Sequence, residues 1–375
     1  MIDIPFTPLA TALPAAVPFV GPEQQEREME RKFAARLGAN ESLSGPSPLA
    51  QAAMAKAAAD AWIYGDPTCF DLRHALAAHH MVSPDCIVVG EGIDGLQGYL
   101  VRLFVAQGDT VVTSDGAYPT FNYHAVGFGG TLHKVPYKDD HEDPDALIAR
   151  AKATHAKLIY FANPDNPMGT WHSASTVQKM IDRIPVGTTL ILDEAYIDTA
   201  PTGSSCPPTA PAIDTSNPQV VRMRTFSKAY GLAGLRVGYA IGHPDVIRGF
   251  EKVRNHFGMG RIQQAGALAA LADQDYLMAT VDRNATDRAN LSEFLAACDL
   301  KPIMSATNFV TADTGHDGAY AQCLVAALGR EGVFVRMPGV APLNRCIRVS
   351  VPNSDALDVL ERAMPRALEA VQAFA

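Results

Sequence analysis

The chain has 375 residues and a formal net charge of −9, with 47% hydrophobic and 19% charged residues. This composition is typical of a folded protein with a sizeable core, and it excludes global disorder. The negative charge repels phosphate backbones and no run of Lys and Arg offers a basic patch, so we expect no nucleic-acid partner. No apolar stretch approaches the roughly 18 residues of a membrane span, so we expect no contact with the membrane interior.

The apolar N-terminal residues up to Pro22 lack the basic start of a signal peptide, and prolines interrupt them repeatedly. We therefore predict an N-terminal arm, residues 1–45, that packs on another surface, in a cytoplasmic protein. The six cysteines include no C-x-x-C motif and no Cys/His spacing of a metal site. They predict buried free thiols and no bound metal.

The first periodic pattern predicts a helical stretch from Glu23 to Leu37, and an Ala-rich helix follows a turn at residues 45–48. From there to about residue 242, short aliphatic runs alternate with helical patterns. These runs predict seven strands: Cys86–Val89, Thr110–Thr113, Thr131–Val135, Lys157–Phe161, Thr188–Leu192, Val220–Thr225 and Val237–Ile241. Several are apolar on both faces, so the fold class predicted for a large domain over 46–245 is α/β, a mostly parallel sheet sandwiched by helices.

From about residue 246 the pattern changes to long helices and short strands. The helical patterns are Gln263–Leu271 and Tyr276–Cys298, strands are predicted near Asn308–Ala312, Val333–Arg336 and Cys346–Val351, and a final helix starts at Ser354. This change predicts a smaller C-terminal α/β domain over 246–375. In a parallel sheet, functional groups collect at the carboxyl ends of the strands.

A glycine motif follows the first strand of the predicted sheet, where Gly90, Gly92 and Gly95 form a G-x-G-x-x-G sequence before a helix. Asp115 comes after the next strand, so the motif alone fits a dinucleotide site in a nicotinamide oxidoreductase or a flavin enzyme. Its physical basis is more general, because the glycines let a helix N-terminus present backbone N–H groups to any phosphate. A dinucleotide and another phosphorylated cofactor both remain open on this motif.

Two later motifs place an acid and a lysine at strand ends. Asp193 follows an apolar strand, where it is either a helix N-cap or a buried anion that pairs with a cation. Lys228 follows another strand, and Thr225, Ser227 and Arg236 around it could form an anion pocket. Nearby positive charge and partial burial lower the pKa of a lysine. Pyridoxal phosphate needs an amine for its aldehyde, a carboxylate for its ring nitrogen and an anion pocket for its phosphate, so the combination indicates this cofactor.

With these motifs the chain resembles the class I and II aminotransferases of fold type I, most closely their histidinol-phosphate aminotransferase-like branch. The resemblance runs from about Asn40 to the C-terminus, with the motifs in the family's order. It implies a pyridoxal-phosphate enzyme that moves an amino group from an L-amino acid or amino phosphate, histidinol-phosphate-like or aromatic, to a 2-oxo acid by a ping-pong mechanism. It also implies a homodimer with a shared active site.

The resemblance implies a role for each matching residue. Lys228 would be the Schiff-base lysine, and Asp193 would pair with the ring nitrogen. The other cofactor-binding positions are Gly92, Ile93, Asp94, Tyr118, Asn166, Tyr196, Thr225, Ser227, Arg236 and, in the neighbouring subunit's site, Tyr64. Substrate would be bound by Asn40, by Arg348 through its α-carboxylate, and by Arg336 through a distal phosphate.

Simpler interpretations stay open for single residues. Tyr64 could be a packed aromatic, Asn166 a turn residue, Arg348 and Arg336 solvated arginines, and Phe121 or Tyr123 could stack on the ring in place of Tyr118. A decarboxylase or lyase of the same fold, similar to threonine-phosphate decarboxylases, would share nearly all of these residues, and a non-catalytic binding module is a further alternative. Gly95 and residues 42–44 depart from the family pattern, which leaves the amino donor and acceptor open.

Overall fold

The structure, a computed structural model, describes residues 4–15, 20–201 and 208–372. Its central element is a seven-stranded sheet of β2 (Ile87–Gly90), β3 (Thr110–Ser114), β4 (Thr131–Val135), β5 (Leu158–Ala162), β6 (Thr189–Asp193), β7 (Val220–Thr225) and β8 (Gly238–Gly242). The strand order is β2-β8-β7-β6-β5-β3-β4, and β8 is the one strand of this sheet that runs in the direction opposite to the other six. The predicted fold class is confirmed, and each predicted strand agrees with an observed one to within a residue at each end.

Helices cover both faces of this sheet. One face carries α5 (Gly92–Phe104), α6 (Thr120–Gly127) and α9 (Pro244–Phe250), and the other carries α3 (Pro48–Ala58), α4 (Phe70–His80), α7 (Pro144–Thr154), α8 (Ala174–Ile181) and α10 (Arg261–Ala272). Strand residues alternate between the two cores: Val88 and Ile191 pack towards α5, whereas Leu190 packs towards α7. Burial on both faces explains why the strands read as continuous apolar runs.

A second sheet follows along the chain. It consists of β12 (Cys346–Ser350), β10 (Phe309–Asp313) and β9 (Lys301–Pro302) in that order, all antiparallel. The short strands β1 (Ala35–Arg36) and β11 (Val333–Phe334) pair in parallel beside it. Their common core includes helices α11 (Gln274–Ala297), α12 (Gly318–Arg330) and α13 (Ser354–Gln372). The domain boundaries drawn from the sequence stay a prediction.

The helical stretch predicted from Glu23 to Leu37 is wrong beyond its first turns. Helix α2 (Pro22–Glu28) ends early, Glu30 adopts a left-handed conformation with φ 53°, and the chain then extends into β1. The reason is tertiary: pairing with β11 buries Ala35 and Leu37 in the core of the second sheet, which outweighs a weak local helix preference. In the arm before it, α1 (Pro8–Ala12) has no buried residue.

The described cysteines are free thiols, but they are not uniformly buried. Cys69, Cys86 and Cys346 are buried, Cys298 is half-buried and Cys323 is exposed, whereas Cys206 lies outside the described residues. Among the helices of the described segments, none combines the length and the apolar character that crossing a membrane requires.

Candidate active site

A cavity of about 600 Å³ opens at the carboxyl ends of β5, β6 and β7, with β12 on its opposite side. Most residues predicted for the site line it: Asn40, Ile93, Asp94, Tyr118, Asn166, Asp193, Tyr196, Thr225, Ser227, Lys228, Arg236, Arg336 and Arg348. The two others are Gly92, which directly precedes the lining residue Ile93, and Tyr64, which lies outside the cavity. The topology therefore gathers residues from four separate parts of the chain, near 40, over 93–118, over 166–236 and over 336–348.

One end of the cavity collects groups of the kind that bind an anion. Helix α5 starts there at Gly92, Arg236 places its Nη1 3.5 Å from the Ser227 hydroxyl, and the Thr225 hydroxyl donates to Ser227 Oγ at 2.8 Å. Gly92 has a φ of +76°, and a Cβ there would lie 2.5 Å from Arg236 Nη2, so a larger residue would be strained and would displace the guanidinium from the helix start. Hydroxyls, a guanidinium and a helix N-terminus together suit a phosphate group.

The Asp94 carboxylate reduces the positive charge at this end of the cavity. One of its oxygens lies 3.4 Å from Arg236 Nη2. Both side chains are partly exposed, so the ion pair is a weak one, and another anion can compete with Asp94 for the guanidinium.

A buried carboxylate, Asp193, ends β6 at the base of the cavity. Only 5% of Asp193 is exposed, and its two oxygens accept hydrogen bonds from Tyr160 Oη at 2.8 Å and from the Ala195 amide at 2.9 Å. Burial raises the pKa of Asp193 to about 6, against the effect of these hydrogen bonds. A carboxylate in this position is stabilised as an anion by a cation in the cavity.

The Lys228 amine lies in the same cavity, where its Nζ donates to the backbone oxygen of Asn40 at 3.2 Å. It also lies 5.3 Å from the centre of the Tyr196 ring. Burial lowers the pKa of Lys228 to about 8, and the guanidinium groups of Arg348 and Arg236 act in the same direction. An appreciable fraction of this lysine is therefore a neutral, nucleophilic amine near physiological pH.

Arg348 on β12 closes the cavity from the side of the second sheet. One of its Nη atoms donates to Asn166 Oδ1 and the other to the Gly38 backbone oxygen at 3.0 Å. Its Nε is buried and has no hydrogen-bond partner within the described part of the chain. The solvated arginine considered from the strand pattern is therefore wrong, because Arg348 points into the cavity.

Asn40 connects the N-terminal segment to this network. It is buried in a left-handed conformation with φ 57°, and its Nδ2 donates to Tyr196 Oη at 3.0 Å. Its backbone nitrogen donates to Ser350 Oγ at 2.9 Å, two residues after Arg348 along β12. Burial raises the pKa of Tyr196 to about 12, so its hydroxyl stays protonated and can still donate.

Arg336 and Tyr118 lie at the outer part of the cavity. Arg336 forms an antiparallel bridge with Arg348, with backbone N–O distances of 3.2 and 2.6 Å. Its guanidinium donates to the Val20 backbone oxygen at 2.9 Å and lies over the Phe334 ring. Of the three aromatic residues considered for stacking, Tyr118 lines the cavity, whereas Phe121 is fully buried and stacked on Tyr160.

Tyr64 is 79% exposed, and its ring packs against Phe257, with 5.1 Å between the ring centroids. Within one chain it does not line the cavity. The role predicted for it requires a second subunit.

Sequence reasoning missed two residues that contact Asp193. Tyr160 reads as part of an apolar strand, and Gln97, whose Nε2 lies 3.4 Å from Asp193 Oδ2, reads as part of an ordinary helix. A signal for Gln97 exists, since it lies three residues after Asp94 and is a polar side chain on the buried face of α5. Tyr160 gives no such signal, because a buried tyrosine in a strand is usually core.

Comparison with known proteins agrees with this geometry. The chain is 36% identical over 347 residues to a histidinol-phosphate aminotransferase of Anaeromyxobacter sp. (strain Fw109-5), covering 92% of this chain and 93% of that protein. It is 35% identical over 309 residues to an aromatic amino acid aminotransferase of Mycobacterium avium (strain 104), covering 80% of this chain and 86% of that protein.

Among solved structures, the histidinol-phosphate aminotransferase from Sinorhizobium meliloti in complex with pyridoxal-5'-phosphate superposes with a TM-score of 0.94 at 50% identity, over 99% of this chain and 98% of that one. Residues 35–364 match the family model of class I and II aminotransferases. The nicotinamide oxidoreductase, which rested on the glycine motif alone, gains no support from these matches. The chain belongs to the class I and II aminotransferases, as its motifs predicted.

Proposed function

We propose that this aminotransferase uses pyridoxal phosphate to move an amino group from an L-amino acid or amino phosphate, histidinol-phosphate-like or aromatic, to a 2-oxo acid in ping-pong fashion. The observation that carries the proposal is the combination of Lys228 and Asp193 in one cavity. The cavity supplies a lysine whose pKa is lowered to about 8 and a buried carboxylate whose pKa is raised to about 6.

The residues present fit this cofactor. The start of α5, with Thr225, Ser227 and Arg236, would hold the phosphate. The absence of a side chain at Gly92 leaves room for the Arg236 guanidinium beside the helix start. Asp193 would pair with the ring nitrogen. The ring oxygen would be held by Asn166 and Tyr196, the ring face by Tyr118, and the aldehyde carbon by Lys228; Ile93 and Asp94 line the phosphate end.

When bound, pyridoxal phosphate supplies an electrophilic carbon for the substrate amine and a ring that accepts the electron pair left by the α-proton. Asp193 holds the proton on the ring nitrogen, because its buried negative charge stabilises a cation there. Lys228 acts as the general base for the α-proton, which its lowered pKa makes possible near neutral pH. Arg348 orients the substrate by binding its carboxylate with two N–H groups, and Asn40 holds Tyr196 in place.

Arg336 supports a substrate with a distal anionic group. Its guanidinium uses one N–H group for Val20 and lines the same cavity as Arg348, so two cationic groups face the substrate space. A phosphate or carboxylate at the far end of the donor would be held there. An aromatic donor would instead stack against the apolar part of the lining.

A homodimer with a shared active site is part of the proposal, and an exposed aromatic patch supports it. Trp62 is 83% exposed beside Tyr64, and Phe257 is more than half exposed. Exposed apolar clusters of this kind mark interaction surfaces. A partner that covers this patch would place Tyr64 near the second subunit, as the predicted cofactor role of Tyr64 requires.

The free thiols support a reducing compartment, the cytoplasm.

The direct test is Lys228→Ala. We expect the purified protein to lose the visible absorption of lysine-bound cofactor, and transamination to fall by at least about 100-fold because the general base is gone. Lys134→Ala is the control, since this lysine pairs with Asp115 on the surface and should change neither property. A colourless wild-type protein without affinity for pyridoxal phosphate contradicts the proposal, and release of carbon dioxide without nitrogen transfer identifies a decarboxylase instead.

Arg336→Met tests the substrate class. For a donor with a distal phosphate, such as histidinol phosphate, we expect KM to rise roughly 10- to 100-fold, because a hydrogen-bonded charge pair is lost. For phenylalanine, which has no distal anion, KM should change by less than about threefold. Steady-state kinetics with both donors measure the difference, and equal changes for both would show that Arg336 does not select the distal group.

Trp62→Glu tests the dimer. The wild-type protein should sediment at twice the chain mass of 40.0 kDa, and the charge on the aromatic patch should shift the variant towards monomer with a parallel loss of activity. Val186→Glu is the matched control, because Val186 is fully exposed near the amino end of β6, away from the cavity. A wild-type monomer with full activity would overturn the shared site.

A further inference from the structure

The carboxylate of Asp193 is supported from behind by a tyrosine on the neighbouring strand. We propose that Tyr160 is a positioning residue that fixes the orientation and the ionised state of Asp193. Through Asp193 it would strengthen the binding of the cofactor's ring nitrogen. The inference rests on the proposed function, and it concerns a residue that no motif of the sequence singled out.

The geometry leaves the Tyr160 hydroxyl little choice of partner. Tyr160 lies on β5 opposite Ile191 of β6, and two residues further the pair is Ala162 and Asp193. The phenol donates to Asp193 Oδ2 at 2.8 Å, and its ring is stacked on Phe121 with 5.2 Å between centroids and 13° between planes. Both rings are buried, so the hydroxyl is held at a fixed position beside the carboxylate.

Gln97 of α5 contacts the same carboxylate oxygen, with its Nε2 3.4 Å from Oδ2. Its side-chain oxygen is buried and finds no hydrogen-bond partner among the described residues. The Gln97 side chain thus directs its NH2 group to the carboxylate while its Oε1 accepts no hydrogen bond from these residues. This orientation is expected when a negative charge attracts the N–H donors. Oδ1 accepts from the Ala195 amide, so each oxygen of Asp193 has a defined neighbour.

The balance of charges makes the Tyr160 hydrogen bond important. Burial raises the pKa of Asp193, and the negative charges of Asp94 and Glu194 raise it further, whereas the Tyr160 hydroxyl and the Ala195 amide oppose the rise. Burial also keeps the pKa of Tyr160 well above its ordinary value, so Tyr160 remains a donor throughout the physiological range. Among the described residues, the titratable groups that act on Asp193 include Asp94 on α5, Glu142 before α7, Tyr160 on β5, and Glu194 and Tyr196 after β6, and the Lys228 amine lies in the same cavity.

The consequence is a pH signature. Without the Tyr160 hydroxyl the carboxylate is protonated at a higher pH, and a neutral Asp193 cannot stabilise a cation. Binding of the cofactor should therefore weaken most at the acidic side of neutrality, where the wild-type carboxylate is still largely ionised. Well above neutrality both proteins hold an ionised Asp193, and the difference should shrink to the loss of orientation alone.

The experiment strips the holoenzyme of cofactor and measures the dissociation constant of pyridoxal phosphate for wild type and Tyr160→Phe between about pH 6 and 8.5. We expect Tyr160→Phe to bind roughly 10-fold more weakly near pH 6.5, with a smaller ratio at pH 8.5, because a hydrogen bond to a charged group is lost. The matched control is Tyr239→Phe, which removes a buried hydroxyl from β8 that bonds His80 at 2.9 Å and does not touch Asp193.

Three results would overturn the inference: an unchanged dissociation constant in Tyr160→Phe, a loss that is independent of pH, or an equal loss in Tyr239→Phe. If Tyr160→Phe fails to fold, Gln97→Met removes the other side-chain donor to Asp193 at similar volume and should produce the same pH trend, and the absence of that trend overturns the inference too. Failure of the wild-type protein to bind pyridoxal phosphate would instead contradict the proposed function.

Discussion

The enclosure of a lysine and a carboxylate in the same cavity is the constraint on which the rest of the site depends. In solvent, water stabilises the charged forms of both groups, whereas a buried charge without a partner destabilises the folded protein. In this cavity the pKa of Lys228 falls to about 8 because of burial and the nearby Arg348 and Arg236, while the pKa of Asp193 rises to about 6. Lys228 is thus held near the point where it can gain or lose a proton at neutral pH, as a general base must, whereas the pKa of Asp193 stays low enough for its carboxylate to remain largely ionised there.

The fold brings these groups together through a few close approaches. Parallel strands place Asp193 and the segments that follow β5 and β7 at one edge of the sheet. The antiparallel β8 then returns beside the start of α5, where a Cβ on Gly238 would lie 2.8 Å from the backbone of Gly92 and Ile93. That contact sets the anion-binding end. The second sheet contributes Arg348 from β12, so the cavity exists only when both sheets are in place.

Much of the fold and of the candidate site could be predicted from the sequence, because strand patterns and the residues just after strands are local signals. The seven strands of the large sheet, Lys228 and Asp193 are of this kind. What could not be predicted depends on contacts between distant segments. The pairing of β1 with β11 replaced a predicted helix, and the Tyr160 hydrogen bond arises from the register of β5 against β6.

A second buried acidic cluster was also invisible from the sequence. Glu142 accepts from the Ser114 hydroxyl at 2.6 Å, and Asp165 accepts from Tyr137 at 2.8 Å, directly before Asn166. Burial raises the pKa of both carboxyl groups, that of Asp165 to about 7. Neither acid stands out in the sequence, because both lie in loops, Glu142 before α7 and Asp165 after β5. Tyr64 is a different case, because the role predicted for it requires a second subunit.

Titration of Lys228 in the cofactor-free protein tests most directly whether burial and arginine charge lower its pKa. The readout is the rate at which an amine-selective reagent labels Lys228 at each pH. The rate should be half-maximal near pH 8, and Arg348→Met should move this midpoint to higher pH because a repelling positive charge is removed. A midpoint near the ordinary lysine value of about 10.4, unchanged in Arg348→Met, would contradict the central role of burial and arginine charge.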